Sequence, residues 1–457
     1  MMQQMFLGLG AGPSDTFWIS EAAKGSWGDE YTEDIAGDND GNIYVLSIRY
    51  NSGGNGYKGN SIVKHAADGT VSWQKIEYKT SSPHTMEARC ITADASGDHI
   101  YYSGQSDTGM FIIKANKSDG SVDWRRKIDN SSSNNLPSSI VVGSDGNPIQ
   151  QGRISSDNNM QGYVSLNAND GTYNWKTMVK KTSGNTTDNQ VTQHIKVDGS
   201  GNIHSLVKGD TGHPNYYNAI VKHNSSGVLQ SISNYKTSYG NEDQFGDIAV
   251  DSSGNKYISY RYITGSGQQM RVGVMKVNSS DVIQWQKGID SAPNYISPEQ
   301  IEVMPDGSGI IMRIDDRQNQ GDSGDAKSTF VRFDTSGNVV WKRQFGISGI
   351  NVQGSVGKMR LNKNGNIIFN TNYTTGGNVY TIVAQLPADG SLTGNHTVGS
   401  RTYEWAANTR LSFSTQTGFS KVSSIFSSEN NNSANAAYET NITVANNVLT
   451  FTNGDVD

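Results

Sequence analysis

The sequence predicts an all-β fold: a seven-bladed β-propeller with four antiparallel strands per blade, its ring closed by an N-terminal strand. Three observations predict it. A Gly-containing turn recurs in seven copies at a mean interval of about 54 residues. Each copy carries four short β-prone runs. An aromatic residue returns at a fixed offset in the fourth run.

The turns are Asp38–Asn42, Asp94–Asp98, Gly143–Asn147, Asp198–Asn202, Asp251–Asn255, Pro305–Gly309 and Asn362–Asn366. Before each comes a short alternating run, as at Ile248 and Val250. After it comes a second run, as in Asn42–Ser47. A variable polar loop leads to a third run, as in Ser61–His65. A second turn, as at Asp68-Gly69, opens a fourth run that reaches an indole at Trp73. Runs of this length between Gly, Asp and Asn turns are antiparallel strands. A lone four-stranded sheet leaves both faces bare, and a ring of such sheets buries them without caps.

Trp73, Trp124, Trp175, Trp285 and Trp341 each lie four residues after the second turn, at Gly69, Gly120, Gly171, Asp281 and Gly337. Ser231 and Gly394 occupy that place in the fourth and seventh repeats. Trp18 fits the same register upstream, so the fourth run has one copy more than the others. The strand around Phe17-Trp18-Ile19 is therefore expected to complete the last blade. A fused pair of β-sandwiches is the competing fold, and the constant phase argues against it. The propeller spans 15–399. Residues 1–14 form an N-terminal segment with an apolar patch. Residues 400–457 lose the repeat, are rich in Asn, Ser and Thr, and are expected as a β-rich appendage or a strand-adding tail.

Composition narrows the function. The 37 basic and 43 acidic residues leave a net charge of −6, so no basic field exists for nucleic acid. A single cysteine, Cys90, excludes an intrachain disulfide and a cysteine zinc cage. No apolar run is long enough to insert in a membrane. The start of the chain lacks the basic region of a secretory signal, and a soluble protein made without one is expected.

The stretch Asp247–Asn255, followed by a strand and a later Trp-bearing strand, resembles the bacterial β-propeller repeats called SBBP repeats, over about residues 30–395. Met5-Phe6-Leu7-Gly8-Leu9-Gly10-Ala11-Gly12 resembles the start of structural virion proteins of tailed marine bacteriophages. Gln385–Gly394 resembles the segment that closes propeller modules in phage tail-fibre-like proteins. The long Ser/Thr/Leu repeat tail of that last group is missing. The resemblance implies a non-enzymatic virion protein of a phage tail or fibre, acting as scaffold or host-surface adhesin and extracellular after release. Its partners would be other tail proteins, further copies of itself and a host glycan. A secreted propeller lectin is the alternative, with a carbohydrate-active or quinone-dependent enzyme behind it.

Residue by residue, chemistry is sparse. Gly321-Asp322-Ser323-Gly324-Asp325 looks like a serine-protease nucleophile motif, but no His base accompanies it and it falls in a variable loop. Asp38-Asn39-Asp40-Gly41-Asn42 spaces oxygens as calcium loops do. Arg49 stands where the bidentate Glu belongs, and turn chemistry explains the same residues. None of the eight histidines forms a close ligand pair. His65 and His223 share a third-strand register and are read as repeat positions. No catalytic residue, metal site or cofactor is expected. Met5, Phe6, Leu7 and Leu9 are expected to dock the chain onto the particle, as a strand on a neighbour's edge. Arg49, Tyr50, Tyr57, Tyr216, Tyr217, Arg261, Tyr262, Arg317 and Tyr373, from the loops between second and third strands, form a candidate binding surface.

Overall fold

The computed structural model describes the strands and tight turns of the ring. It leaves undescribed residues 1–2, 6–17, 23–29, 51–57, 79–85, 96, 107–108, 130–135, 154–159, 182–193, 211–215, 238–243, 265–268, 292–294, 318–326, 351, 354–356, 376–377, 399–400, 410, 417–418, 423–425, 429–442, 447–451 and 455–457. Seven antiparallel sheets each form one blade. Blade 1 is Glu30–Gly37, Ile43–Tyr50, Lys58–His65 and Val71–Tyr78; blade 2 is Met86–Ala93, His99–Ser106, Gly109–Asn116 and Val122–Asp129. Blade 3 is Leu136–Val142, Pro148–Arg153, Met160–Leu166 and Tyr173–Lys181; blade 4 is Ile195–Val197, Ile203–Asp210, Tyr216–His223 and Leu229–Thr237. Blade 5 is Gln244–Val250, Lys256–Thr264, Gln269–Val277 and Ile283–Ser291; blade 6 is Tyr295–Val303, Gly309–Arg317, Lys327–Asp334 and Val339–Ile347. Blade 7 takes Met359–Leu361, Ile367–Thr375 and Asn378–Leu386 from the end of the repeats and Trp18–Ala22 from the start of the chain. Trp18 pairs with Gln385 and Ala22 with Thr381, so the N-terminal strand closes the ring as the surplus Trp predicts.

The first strands contact one another in cyclic order, blade 7 meeting blade 1, which makes them innermost. Apolar side chains fill the gaps between blades. Tyr44, Leu46 and Ile62 of blade 1 pack on Ile91, Ile100, Phe111 and Ile113 of blade 2. Alternation along each strand supplies both faces of each blade, as a ring requires.

The tryptophans hold neighbouring blades together. Five indole N–H groups donate to a carbonyl in the third-to-fourth turn of the next blade: Trp18 to Ala67 (3.2 Å), Trp73 to Lys117 (3.0 Å), Trp124 to Ala168 (3.1 Å), Trp175 to Ser225 (3.1 Å) and Trp285 to Thr335 (3.0 Å). The glycine of that same turn lies against the ring. A Cβ on Gly227, at φ +75°, would come within 2.3 Å of Trp175. The Gly and Trp of the repeat thus meet across a blade boundary, not within one blade.

At the boundary of blades 4 and 5 both partners change. Ser231 replaces the Trp, and the turn of blade 5 carries Asp281, at φ 61° the one non-glycine positive φ among the described residues. The Asp281 carboxylate accepts from Ser233 Oγ (2.6 Å) and pairs with Lys256 Nζ (2.5 Å), while Tyr235 donates to its backbone carbonyl (3.0 Å). Gly394 has no Trp for another reason. After the turn at Gly390 the chain leaves the ring, and Gly394–Val398 joins the outside of blade 6.

The 400–457 segment was expected as a β-rich appendage or a strand-adding tail, and its described strands take the second form, lying one per blade on the outer edges. Arg401–Ala407 pairs with blade 6, Ser412–Thr415 with blade 5, Phe419–Val422 with blade 4, Phe426–Ser428 with blade 3, Thr443–Asn446 with blade 2 and Thr452–Gly454 with blade 1. The tail is a belt that retraces the ring backwards and gives six blades a fifth strand. Tyr403 and Trp405 anchor its start in the apolar cluster of Phe330, Phe345 and Phe369. Exposed strand edges invite foreign pairing, and the belt occupies six of them.

The seventh edge belongs to the N-terminus. Gln3–Met5 pairs with Trp18–Ala22, Met5 opposite Ile19. The expectation that Met5 adds to a neighbour's edge is therefore corrected. Its backbone is paired to the Trp18–Ala22 strand of this chain's own blade 7. Phe6, Leu7 and Leu9 lie outside the described residues.

Candidate functional site at the ring axis

Propeller axes gather side chains from every blade. Counting back four residues from the residue whose carbonyl closes each first-to-second turn, Met304 in blade 6, reaches an equivalent position: Asp34, Cys90, Ser139, His194, Asp247, Gln300 and Lys358. Four of these latch onto the next blade. Asp34 Oδ2 accepts the Ile91 N–H (3.0 Å), Ser139 Oγ the Ile195 N–H (3.3 Å), Asp247 Oδ2 the Ile301 N–H (3.0 Å), and Gln300 Oε1 the Met359 N–H. A carbonyl, carboxylate or hydroxyl oxygen is needed for that task, and Cys, His and Lys do not supply one. Cys90 turns into its own sheet, with Sγ 3.0 Å from Ser103 Oγ, and burial pushes its thiol up to about 12. It is no nucleophile at neutral pH.

A chain of ion pairs crosses the ring from Asp34 through three residues that lie two places nearer their turns. Asp34 meets Arg360 (3.2 Å), Arg360 meets Glu302 (3.5 Å), and Glu302 meets Lys196 (2.7 Å). These belong to blades 1, 7, 6 and 4. Blades 4 and 6 are not neighbours, so Lys196 reaches Glu302 past blade 5. Burial alone would lower the Arg360 pKa, but the carboxylates of Asp34, Glu302 and Asp247 hold it raised. A second group, Glu33, Arg89 and Glu87, joins blades 1 and 2, with Arg89 3.6 Å from Glu33 and 2.5 Å from Glu87. Burial raises the Glu33 carboxyl against the lowering fields of Arg89 and Lys358.

His194 and Asp247 form a buried pair, Nδ1 to Oδ1 3.4 Å. Burial pushes Asp247 up to about 6, partly offset by Lys196. His194 is held well below its usual range, first by burial and then by the charges of Lys358, Arg360 and Lys196. The imidazole is neutral, and the facing carboxylate selects the Nδ1–H tautomer. Its Nε2 lone pair is buried and has no partner among the described residues. The backbone at Lys358 is pinned: Arg313 donates to its carbonyl (3.1 Å) and to that of Asn370 (2.9 Å), and the Lys358 N–H donates to Asn370 Oδ1.

The loop surface read from sequence is only partly supplied. Arg49, Tyr50, Tyr216, Tyr217 and Arg317 sit at strand ends on the variable-loop face, opposite Gly59, Lys58, Asp210, Gly209 and Tyr295. Tyr57 lies outside the described residues, as does Ser323. Arg261 is half-buried. Tyr262 and Tyr373 correct the expectation, since both are buried. Tyr262 donates to the Ile289 carbonyl (3.3 Å), and Tyr373 stacks on Tyr380 with centroids 4.9 Å apart. Their strands run further before the loop than composition indicates, and the rings fill the core.

The Asp38 carboxylate is spent on its turn. It accepts from the N–H groups of Asp40 (3.0 Å) and Asn42 (2.9 Å) and from Tyr44 Oη (2.9 Å). His204 takes the place of Tyr44 in blade 4, 2.9 Å from Asp198. His65 is buried, with Nδ1 3.1 Å from the Gly69 carbonyl and its ring stacked on Trp18. Among the described residues no three His, Cys, Asp or Glu side chains are grouped to hold a metal. Sequence reading passed over His194 and Lys358. Their offset from the turn was available, and aligning the seven first strands on it singles them out.

No family model matches the chain, and no curated protein does. Solved structures resemble it at low identity. The Dos1 propeller is 10% identical, covering 79% of this chain and 93% of that one, with a TM-score of 0.47. A polysaccharide lyase of family PL25, an ulvan lyase, is 10% identical over 80% of this chain and 96% of that one, also at 0.47. The GH74 enzyme of Niastella koreensis is 15% identical over 76% of this chain and 64% of that one, at 0.41. The chain is, from its own strand pairing, an all-β seven-bladed propeller.

Proposed function

We propose that this chain is a non-enzymatic structural protein of a bacteriophage virion, built into the tail or a fibre as scaffold or host-surface adhesin. The observation that carries the reading is the double closure of the ring. One strand from the N-terminus completes blade 7, and a belt from the C-terminus covers the edges of the other six. A particle outside a cell has no chaperone to refold its parts, so resistance to opening matters more than turnover. Covered edges also limit unwanted strand addition where many copies crowd together. The phage-like segments at Met5–Gly12 and Gln385–Gly394 point the same way. Its contacts would be other tail proteins, further copies of itself and a host glycan at the variable-loop face.

Mass spectrometry of purified particles from a phage encoding the chain tests this, with immunogold labelling to place it. Stoichiometric recovery and a label on the tail are expected. Recovery from infected-cell lysate alone, with none in the particles, overturns the reading.

A further inference from the structure

The two ends of the belt are held differently. From Arg401 to Gln416 side chains anchor it. Tyr403, Trp405 and Leu411 are buried, and Phe413 meets Phe333 edge-on with centroids 5.1 Å apart. Asn408 donates to Thr329 (2.9 Å), and Lys342 donates to the Leu411 carbonyl. At the far end the described hold is backbone pairing. Thr443–Asn446 lies on blade 2 over four residue pairs, and Thr452–Gly454 on blade 1 over three. Main-chain pairing of this kind is indifferent to which copy supplies the strand. The connections differ too. Residues 408–411, 416–418, 423–425 and 447–451 each carry the belt from one blade to the next, in three to five residues. For the same step from Phe426–Ser428 on blade 3 to Thr443–Asn446 on blade 2, the chain uses fourteen, 429–442. Fourteen residues reach up to about 45 Å, against roughly 17 Å for five. The added length also dilutes the belt end around its own edges.

We propose that the last two belt strands exchange between copies of this chain. Thr443–Asn446 and Thr452–Gly454 of one ring cover the blade 2 and blade 1 edges of a second ring, which returns its own. The exchange makes the same backbone bonds between chains as within one, and it leaves every edge covered. Concentration then decides the partner. A short tether holds a strand near its own edge at an effective concentration in the ~millimolar range, and a longer one at less. Copies packed to that density in an assembly compete for the strand. Exchange of this kind supplies the contact between copies that a virion role calls for, and it rests on that role for the crowding alone.

The test traps the exchanged pair with the purified full chain, so its outcome is independent of whether the protein belongs to a virion. Thr443 lies opposite Asp129, at a separation that a disulfide spans. The native thiol, Cys90, is buried. One copy with Asp129→Cys and another with Thr443→Cys are co-expressed, concentrated to about 1 mM and mildly oxidised. A disulfide between residues 129 and 443 can then form only between chains. It is expected in the digest by mass spectrometry, with a two-ring species by light scattering. Replacing 429–442 with four residues, the length that suffices at 408–411, should lower the linked yield about tenfold or more and leave the melting temperature unchanged. A single chain with both substitutions, kept dilute, should link within itself. An intrachain link in that chain with no interchain link at about 1 mM overturns the exchange. So does an equal interchain yield from the shortened chain. Failure to link in either arrangement overturns it as well, because the strand is then not at that edge.

Discussion

Two kinds of junction hold this ring, and they solve one problem with opposite chemistry. At the indole junctions a Trp of one blade lies on a turn glycine of the next and donates its N–H to that turn, as Trp175 does at Gly227 and Ser225. At the junction of blades 4 and 5, Ser231, Ser233, Tyr235 and Lys256 surround Asp281 instead. The substitutions are reciprocal. A Cβ on the turn is excluded by the indole, and removing the indole makes room for an aspartate whose charge then needs a buried lysine. Repeats therefore vary by junction, with partners drawn from adjacent blades, and not by blade.

The largest effect is expected from Asp281→Gly. It makes the turn like the others but leaves the Lys256 ammonium, whose side chain is 0% exposed, with the Asn278 and Ser279 carbonyls and no counter-charge. Removing one partner of a buried ion pair costs about 3–5 kcal/mol. Chemical denaturation should show that loss, and adding Lys256→Met should recover most of it. A single mutant as stable as the wild type would mean that the polar junction contributes nothing. The further change Ser231→Trp, made on Asp281→Gly/Lys256→Met, should convert the junction to the indole type and add stability.

Gly227→Ala probes the indole side. The new methyl meets Trp175 and occupies a positive φ, so overpacking of about 1–3 kcal/mol adds to backbone strain of about 1–2 kcal/mol. Gly146→Ala has a similar φ of +79° and nothing within 4 Å, so it reports the strain alone. Equal losses in the two variants would remove the indole contact from the account.

Acid should weaken the junction of blades 7 and 1 through His65. Burial holds this histidine at about 4, against 6.5 for the free side chain. Below about pH 6.5 the unfolded chain takes a proton that the folded chain refuses. The stability present above that pH is lost as pH falls toward 4, by about 1 kcal/mol between pH 7 and 5.5. Asp247, raised to about 6, works in the opposite sense between 3.8 and 6, because its folded form holds the proton more tightly. Melting temperatures from pH 7 to 5 should fall less steeply in His65→Phe. An unchanged slope would place the acid sensitivity elsewhere.

The smallest change is Trp124→Phe. It keeps an aromatic face against Gly171 and deletes the N–H bond to Ala168 (3.1 Å). A loss of about 0.5–1 kcal/mol is expected in the denaturation midpoint.

The ring was legible because its signals are periodic. Turn glycines and indoles answer to sterics that recur in every blade, and the surplus Trp18 reveals the closing strand. Ser231 and Asp281 were visible as exceptions, but a linear reading placed them in separate repeats and missed that they touch. The belt left no periodic trace. An outer strand such as Ser412–Thr415 pairs along one edge through its backbone, which imposes little pattern on side chains. Tyr262 and Tyr373 were misplaced because a tyrosine's composition reads the same in a strand end and in a loop. At the axis, Lys358 and His194 carry no motif, and only the fold makes their positions equivalent.

The direction of the belt has a mechanical consequence. Its last described strand, Thr452–Gly454, lies on blade 1 and its first, Arg401–Ala407, on blade 6. A pull on the C-terminus loads the pairings one after another, from blade 1 round to blade 6, each opened from its end like a zipper. The early ones resist through only a few backbone bonds. The last is nailed by Tyr403 and Trp405. Stretched from this end, the molecule would pay out extra length in small steps while the ring stayed whole, acting as a shock absorber in series with a rigid wheel.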